Sequence, residues 1–229
     1  MILLGLDSAS GACSAALSGP HGVLAHRFET MQRGQAEALA PMIADVLNAG
    51  GMQAADVDAL SVTVGPGAFT GVRIGLSAAR ALALATARPL VGVTTFAAVA
   101  EPLIGAPGHV LSVIESRRDD FFFQLIDRQT GDAGTPCAAH AAEVIDALHR
   151  DGFTDGPLTL CGDGATRLVE SGALAGLDLT MADGSGLPDA RWVTAVARRQ
   201  VETQGLPDRS VRPSPLYLRP PDVGPAKYA

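Results

Sequence analysis

The 229 residues, 47% of them hydrophobic, suffice for the core of one sizeable domain or two small ones and exclude a disordered chain. A formal charge of -7 argues against an independent nucleic-acid binder, because phosphate binding draws on a concentrated Lys/Arg surface. Three scattered cysteines, Cys13, Cys137 and Cys161, form no Cys-x-x-Cys pair and favour reduced, structural thiols in a cytosolic protein over a disulfide frame or zinc site.

Ile2 to Leu6 and Ala12 to Leu17 read as short apolar strands. Gly19-Pro20-His21-Gly22 is a turn, and Val23 to Glu29 pairs with the second strand as a hairpin. Ile2-Leu3-Leu4 meets Asp7 almost at once, so no secretory leader is expected. From Ala36 to Leu47, Leu39, Met42, Ile43, Val46 and Leu47 recur at helical spacing until Gly50-Gly51. Pro41 predicts either a kink or a first turn at that point. Ala59 to Val64 alternates as a strand, and a glycine-rich turn leads into a small-residue helix over 71–87. A strand from Leu90 to Val93 and a helix from Thr95 to Leu103 follow. The longest apolar-rich stretch, Leu76 to Ala87, contains Arg80 and is too short for a bilayer.

Gly105-Ala106-Pro107-Gly108 breaks the periodicity and is the expected boundary between units 1–104 and 105–229. Beyond it, His109 to Ile114 and Phe121 to Ile126 read as facing strands, Ala141 to Arg150 as a helix, Leu158 to Cys161 as a strand and Ala190 to Thr203 as a helix. Gly184 to Pro188 is a loop, and the Pro-rich tail from Pro207 should run extended over the surface. Hairpins followed by alternating helix and strand give an α/β architecture.

Gly65-Pro66-Gly67-Ala68-Phe69-Thr70-Gly71-Val72-Arg73-Ile74-Gly75 is the most informative run. It fits neither the dinucleotide fingerprint nor the P-loop, so it serves either close strand-helix packing or an anion at the helix start. Gly65, Gly67, Gly71 and Gly75 are structural turn positions, with positive φ or close backbone approach expected at Gly71 or Gly75. His21, His26, His109, His140 and His149 show no i, i+4 spacing, so no metal ligand is assigned. Ser8, Ser77 and Cys13 lack a nucleophile elbow, and no catalytic residue is assigned. Arg117-Arg118-Asp119-Asp120 reads as a solvated turn.

The glycine-rich run resembles the signature of the TsaB (YeaZ) family of bacterial tRNA threonylcarbamoyladenosine biosynthesis proteins. Ile2 to Leu17, Pro89 to Thr95 and Pro215-Leu216-Tyr217-Leu218-Arg219 agree with it. Gln35 and Glu115 depart from it, standing in Arg33-Gly34-Gln35-Ala36 for Arg-x-His-Ser/Thr and in Glu115-Ser116-Arg117 for Asp-Ala-Arg.

The resemblance implies an actin-like ATPase (ribonuclease H-like) fold, two lobes each with a mixed sheet flanked by helices, around a nucleotide cleft. It implies a cytoplasmic, non-catalytic subunit that acts as scaffold and activator of the catalytic TsaD, with TsaE as assisting ATPase. Threonylcarbamoyl transfer to the adenosine beside the tRNA anticodon would then need the complex, which alone would hold the tRNA. The free chain would be a homodimer without bound cofactor, and ATP or ADP would lie at the junction with TsaD. In that fold Asp7 and Ser8 occupy a phosphate-facing loop, which makes them weak nucleotide-binding candidates beside a plain turn-capping role. Helices 36–47 and 71–87 would form the partner interface through Leu39, Met42, Val46, Leu76, Ala79 and Ala83, with Arg73 and Arg80 at its rim. An independent actin-like ATPase or small-molecule kinase is the alternative, and a metallopeptidase a more distant one, since Thr95 to Ala100 lacks the His-x-x-x-His pair of TsaD.

Overall fold

In a computed structural model the described residues are 1–219. Two five-stranded sheets carry the fold. The first contains β1 (Leu3–Asp7), β2 (Ala12–Gly19), β3 (Gly22–Thr30), β4 (Ala59–Gly65) and β5 (Leu90–Thr94), in the order β3-β2-β1-β4-β5. The second contains β6 (His109–Glu115), β7 (Asp120–Asp127), β8 (Cys137–His140), β9 (Leu158–Cys161) and β10 (Leu179–Met181), in the order β10-β9-β6-β7-β8. Each sheet begins with an antiparallel three-strand meander and adds two parallel strands on the other side of its first strand. The two sheets are thus the same topology used twice.

Alternation along β1 sets the layers of the first lobe. Leu4 and Leu6 point to one face, where α1 (Gln35–Ala49) and α2 (Phe69–Thr86) bury Leu39, Val46, Val72 and Leu76 against them. Leu3 points to the opposite face, toward Val193, Val196 and Ala197 of α6 (Ala190–Gln204). Gly5 lets α6 come close, since a Cβ there would stand 2.5 Å from Thr194 Cγ2 and 2.8 Å from the Ala190 carbonyl. The chain expected to stay in the second unit therefore returns to the first, because the face of β1 that carries Leu3 needs an apolar cover.

In the second lobe, Leu111, Phe121, Phe123 and Leu160 face α4 (Val144–Arg150) and α5 (Ala165–Glu170). Val110, Ile114 and Ile126 face Phe96 and Val99 of α3 (Thr95–Ala100). Strands β8 and β10 and helix α5 are elements the periodicity did not reveal. At three to six residues they are too short to show a period.

Helix α1 runs through Pro41, which sits on its exposed side, and starts at Gln35 rather than at the proline. From Pro207 to Arg219 the tail forms no helix or strand and straps the first lobe to the second. Leu216 N donates to Val64 O at 2.8 Å, Arg80 donates to the Pro213 carbonyl, and Arg219 pairs with Asp120. The remainder of the expected surface tail lies outside the described residues. No helix among those described is long and apolar enough to cross a membrane.

Candidate functional site

The loop after β1 ends inside the protein. Asp7 and Ser8 are fully buried. Thr63 Oγ1 and Ala9 N donate to Asp7 Oδ1 at 2.6 and 3.2 Å, and Ser8 Oγ donates to the Gly71 carbonyl at 2.8 Å. Burial lifts the Asp7 carboxyl to about 7 against the pull of those two hydrogen bonds. Neither side chain reaches the surface, so the nucleotide-contact reading of this pair is corrected: they fasten the first loop beneath the glycine-rich turn.

That turn sits on the loop at distances only glycine permits. A Cβ on Gly67 would lie 2.2 Å from the Ala9 carbonyl, and one on Gly71 would lie 2.2 Å from the Ser8 carbonyl. Gly75 is looser, with Ser8 Oγ at 2.9 Å. Positive φ occurs at Gly65, where φ is 103°, and the Gly65-Pro66 peptide bond is cis. At Gly71 and Gly75 the expected requirement takes the form of close approach.

The proposed interface side chains are corrected as well. Leu39, Met42, Val46, Leu76, Ala79 and Ala83 are at most 4% exposed and belong to the core of the first lobe. The stripe at helical spacing packs on the sheet, so what α2 presents outward is Phe69, Arg73, Ser77, Ala81 and Leu84. Leu84 is 74% exposed. Arg73 stays at the surface with its guanidinium 3.7 Å over the Phe69 ring and its Nε on Tyr217 Oη at 3.0 Å. Arg80 is half-buried against the tail.

Between the lobes opens a cleft of about 910 Å³. Its floor is Gly67 to Gly71, its walls are the first turn of α1 and the Ser116–Arg118 hairpin tip, and the strap closes it with Leu216 to Arg219. Phe69 and Tyr217 stack at its mouth with centroids 5.6 Å apart. Arg117 spans it, donating to Gln32 Oε1 at 3.3 Å. Here the reading of Arg117-Arg118 as a plain solvated turn falls short: both are exposed, but they face the other lobe across the cleft. The arginines of this cleft come from four separated stretches, so no local motif announces them.

The two departures from the family pattern have structural work. Gln35 Nε2 donates to the Met31 and Ser10 carbonyls, tying the start of α1 to the first loop. Glu115 receives a two-pronged pair from Arg167 at 2.7 and 2.8 Å. Partial burial pushes its carboxyl up, but Arg167 and the Arg117 N–H outweigh that and hold it low.

His26 Nε2, on β3, lies 2.9 Å from Asp189 Oδ1 at the start of α6. Burial opposes ionisation of Asp189, yet hydrogen bonds from His26 and Arg191 bring it down to about 2. Cys13, Cys137 and Cys161 are unpaired, and burial pushes Cys13 and Cys161 up to about 12. Among the described residues no group of three His, Cys, Asp or Glu side chains stands close enough to hold a metal ion.

Two lobes of one repeated topology, set around a cleft at the ends of β1 and β6, define the actin-like ATPase fold. Component A of the (R)-2-hydroxyglutaryl-CoA dehydratase of Acidaminococcus fermentans shares it at a TM-score of 0.52 and 13% identity, over 88% of this chain and 99% of that one. YeaZ from Pseudomonas aeruginosa superposes at a TM-score of 0.79 with 26% identity, over 95% of this chain and 99% of that chain. Residues 23–159 match the family model of TsaD, tRNA N6-adenosine threonylcarbamoyltransferase. The tRNA threonylcarbamoyladenosine biosynthesis protein TsaB of Escherichia coli is 38% identical over 130 residues, 56% of this chain and 56% of that protein. The chain belongs to the TsaB/YeaZ family of actin-like fold proteins. The aligned segment spans about half the length of the curated relatives it matches.

Proposed function

We propose that this chain is a cytoplasmic, non-catalytic partner subunit in the formation of threonylcarbamoyladenosine on tRNA, and that its partner is the catalytic TsaD. Family membership supports the pathway, since the E. coli relative is named for threonylcarbamoyladenosine biosynthesis. The observation that carries the subunit role is the sealed first loop. Asp7 and Ser8, where an actin-like ATPase would meet its phosphates, are bonded to Thr63, Ala9 and Gly71 with no exposed surface. The chain lends TsaD a surface instead of chemistry.

The outward face of α2, with Phe69, Ala81 and Leu84, supplies apolar area for that contact and, in the free chain, for a homodimer. ATP or ADP belongs at the junction with TsaD, TsaE assists turnover, and the tRNA is held by the complex. Sedimentation velocity of the chain mixed with TsaD from the same cell tests the pairing. A one-to-one species at micromolar concentration supports it, and two independent boundaries refute it.

A further inference from the structure

The strap is anchored in both lobes by different kinds of contact. On the first lobe, Arg80 donates to the Pro213 carbonyl and Leu216 N donates to Val64 O at 2.8 Å. Pro213 lies over Gly92 of β5, where a Cβ would stand 2.8 Å from Pro213 Cβ. Leu216 packs on the core of the first lobe and, with Leu218, on the apolar cluster shared by α3 and the second sheet. Between these leucines, Tyr217 stacks on Phe69 with centroids 5.6 Å apart and accepts from Arg73 Nε at 3.0 Å. Arg219 crosses to the second lobe, where it pairs with Asp120 and stands 5.1 Å from the centroid of the Phe122 ring.

Asp120 is also the residue that holds the tip of the β6–β7 hairpin. Ser116 Oγ lies 2.7 Å from both the Asp120 carbonyl and Asp120 Oδ1, and Arg167 donates to the same carbonyl at 2.8 Å. Ser116 Oγ in turn accepts from Arg118 N at 3.1 Å. Arg219 takes the other carboxylate oxygen, Oδ2. Only Leu218 separates Arg219 from Tyr217. A contact on the outer start of α2 and a contact that fixes the tip in the other lobe therefore hang on one short length of chain. The first of them lies open at the surface, with Phe69 and Tyr217 both about half-exposed. A stack so placed buries little apolar area, and its main effect is to set where the strap runs.

We propose that the strap is a clasp coupling the start of α2 to the Ser116–Arg118 tip of the second lobe, through Tyr217 at one end and Arg219 at the other. With Tyr217 stacked, Arg219 is already placed for Asp120, and the two contacts share the entropy cost of ordering the segment. With Arg73 or Phe69 truncated, the Arg219–Asp120 pair must order the segment alone, and the tip opens more often. The coupling is a property of this chain by itself. Phe69 lies on the face assigned above to TsaD, so docking there tightens the tip; that consequence alone rests on the partner-subunit reading.

Amide hydrogen exchange of the full chain, read by mass spectrometry, tests the clasp, because a protected amide exchanges as often as its segment opens. Arg73→Ala, an exposed change in the first lobe, should speed exchange over 116–122 in the second lobe about three-fold or more. Arg219→Ala should speed exchange over 116–122 and also over 72–75 in α2. The double variant should exchange at the tip no faster than Arg219→Ala alone, since both act through one segment. Tyr217→Ala, at a half-exposed position, takes the place of Arg219→Ala if circular dichroism shows the latter unfolded. Arg27→Ala, paired with Asp45 on the edge strand opposite β5, should leave the tip unchanged. The clasp is overturned if Arg73→Ala leaves 116–122 at the wild-type rate, if the double variant shows the product of the two single effects, or if Arg27→Ala speeds the tip as much as Arg73→Ala. Added TsaD should slow exchange at the tip of the wild type and not of Arg219→Ala. TsaD bound with the tip unchanged refutes the transmission, whereas no binding of TsaD refutes the partner reading and leaves the clasp to the variants.

Discussion

Ser8 and Gly71 lock to each other: the Ser8 side-chain Oγ donates to the Gly71 carbonyl at 2.8 Å, and a Cβ on Gly71 would stand 2.2 Å from the Ser8 carbonyl. One contact holds the first loop down, and the other explains why a glycine must stand in the first turn of α2. Gly71→Ala should therefore cost about 1–3 kcal/mol by overpacking against a backbone that cannot give way. Gly67→Ala, with the Ala9 carbonyl at 2.2 Å, should cost as much. Gly75→Ala, which meets the hydroxyl of Ser8, should cost less. For a chain of this length each kcal/mol lowers the melting temperature by about 2–4 °C. Equal melting temperatures for wild type and the Gly71 and Gly67 variants would show that the turn is not packed in this way.

Asp7 gives the fold a pH dependence of definite sign. Its carboxyl titrates near 7 in the folded protein and near 3.8 when exposed, so between those values the folded state keeps a proton that the unfolded chain releases. Stability contributed by the neutral acid is complete below about pH 4, declines as pH rises, and levels off above about 7. Asp7→Asn retains an acceptor for Thr63 and Ala9 and carries no charge. Urea unfolding at pH 5 and pH 8 should show the variant gaining on wild type at the higher pH by an amount on the order of a few kcal/mol. A wild-type-minus-variant difference that stays constant from pH 5 to pH 8 would contradict this.

Helices α1 and α2 separate core from contact surface by substitution. Met42→Asp places a charge in a site only 4% exposed and should unfold the lobe, because an unpaired buried charge costs several kcal/mol. Leu84→Asp, at a position 74% exposed, should leave melting unchanged and weaken self-association and TsaD binding together. Sedimentation of Leu84→Asp reads the second effect. Wild-type self-association and wild-type TsaD affinity in that variant would remove the outer face of α2 from the interface.

Long elements and the glycine-rich turn were legible because each shows a period or a break. Leu60, Val62 and Val64 alternate along β4, and Leu39, Ile43 and Val46 repeat at helical spacing. What periodicity reports is burial, and it does not say against what. The stripe read as a partner surface is the stripe that faces β1 and β4. The seal over Asp7 was hidden for a related reason, since Thr63, Gly67 and Gly71 lie some 60 residues from their partners in sequence and meet them only through the parallel pairing of β1 with β4. Whole-chain charge concealed the cleft in the same manner, because Arg33, Arg117 and Arg219 become neighbours only after the lobes and strap assemble.

Threonylcarbamoyl transfer to tRNA, reconstituted from purified components and read by mass spectrometry of the nucleosides, tests the central claim most directly. With threonylcarbamoyl-adenylate supplied, TsaD and TsaE should modify tRNA only when this chain is added, and this chain alone should produce no modified adenosine. Modification by the chain alone, or full activity of TsaD and TsaE without it, would contradict the role of a required, non-catalytic partner.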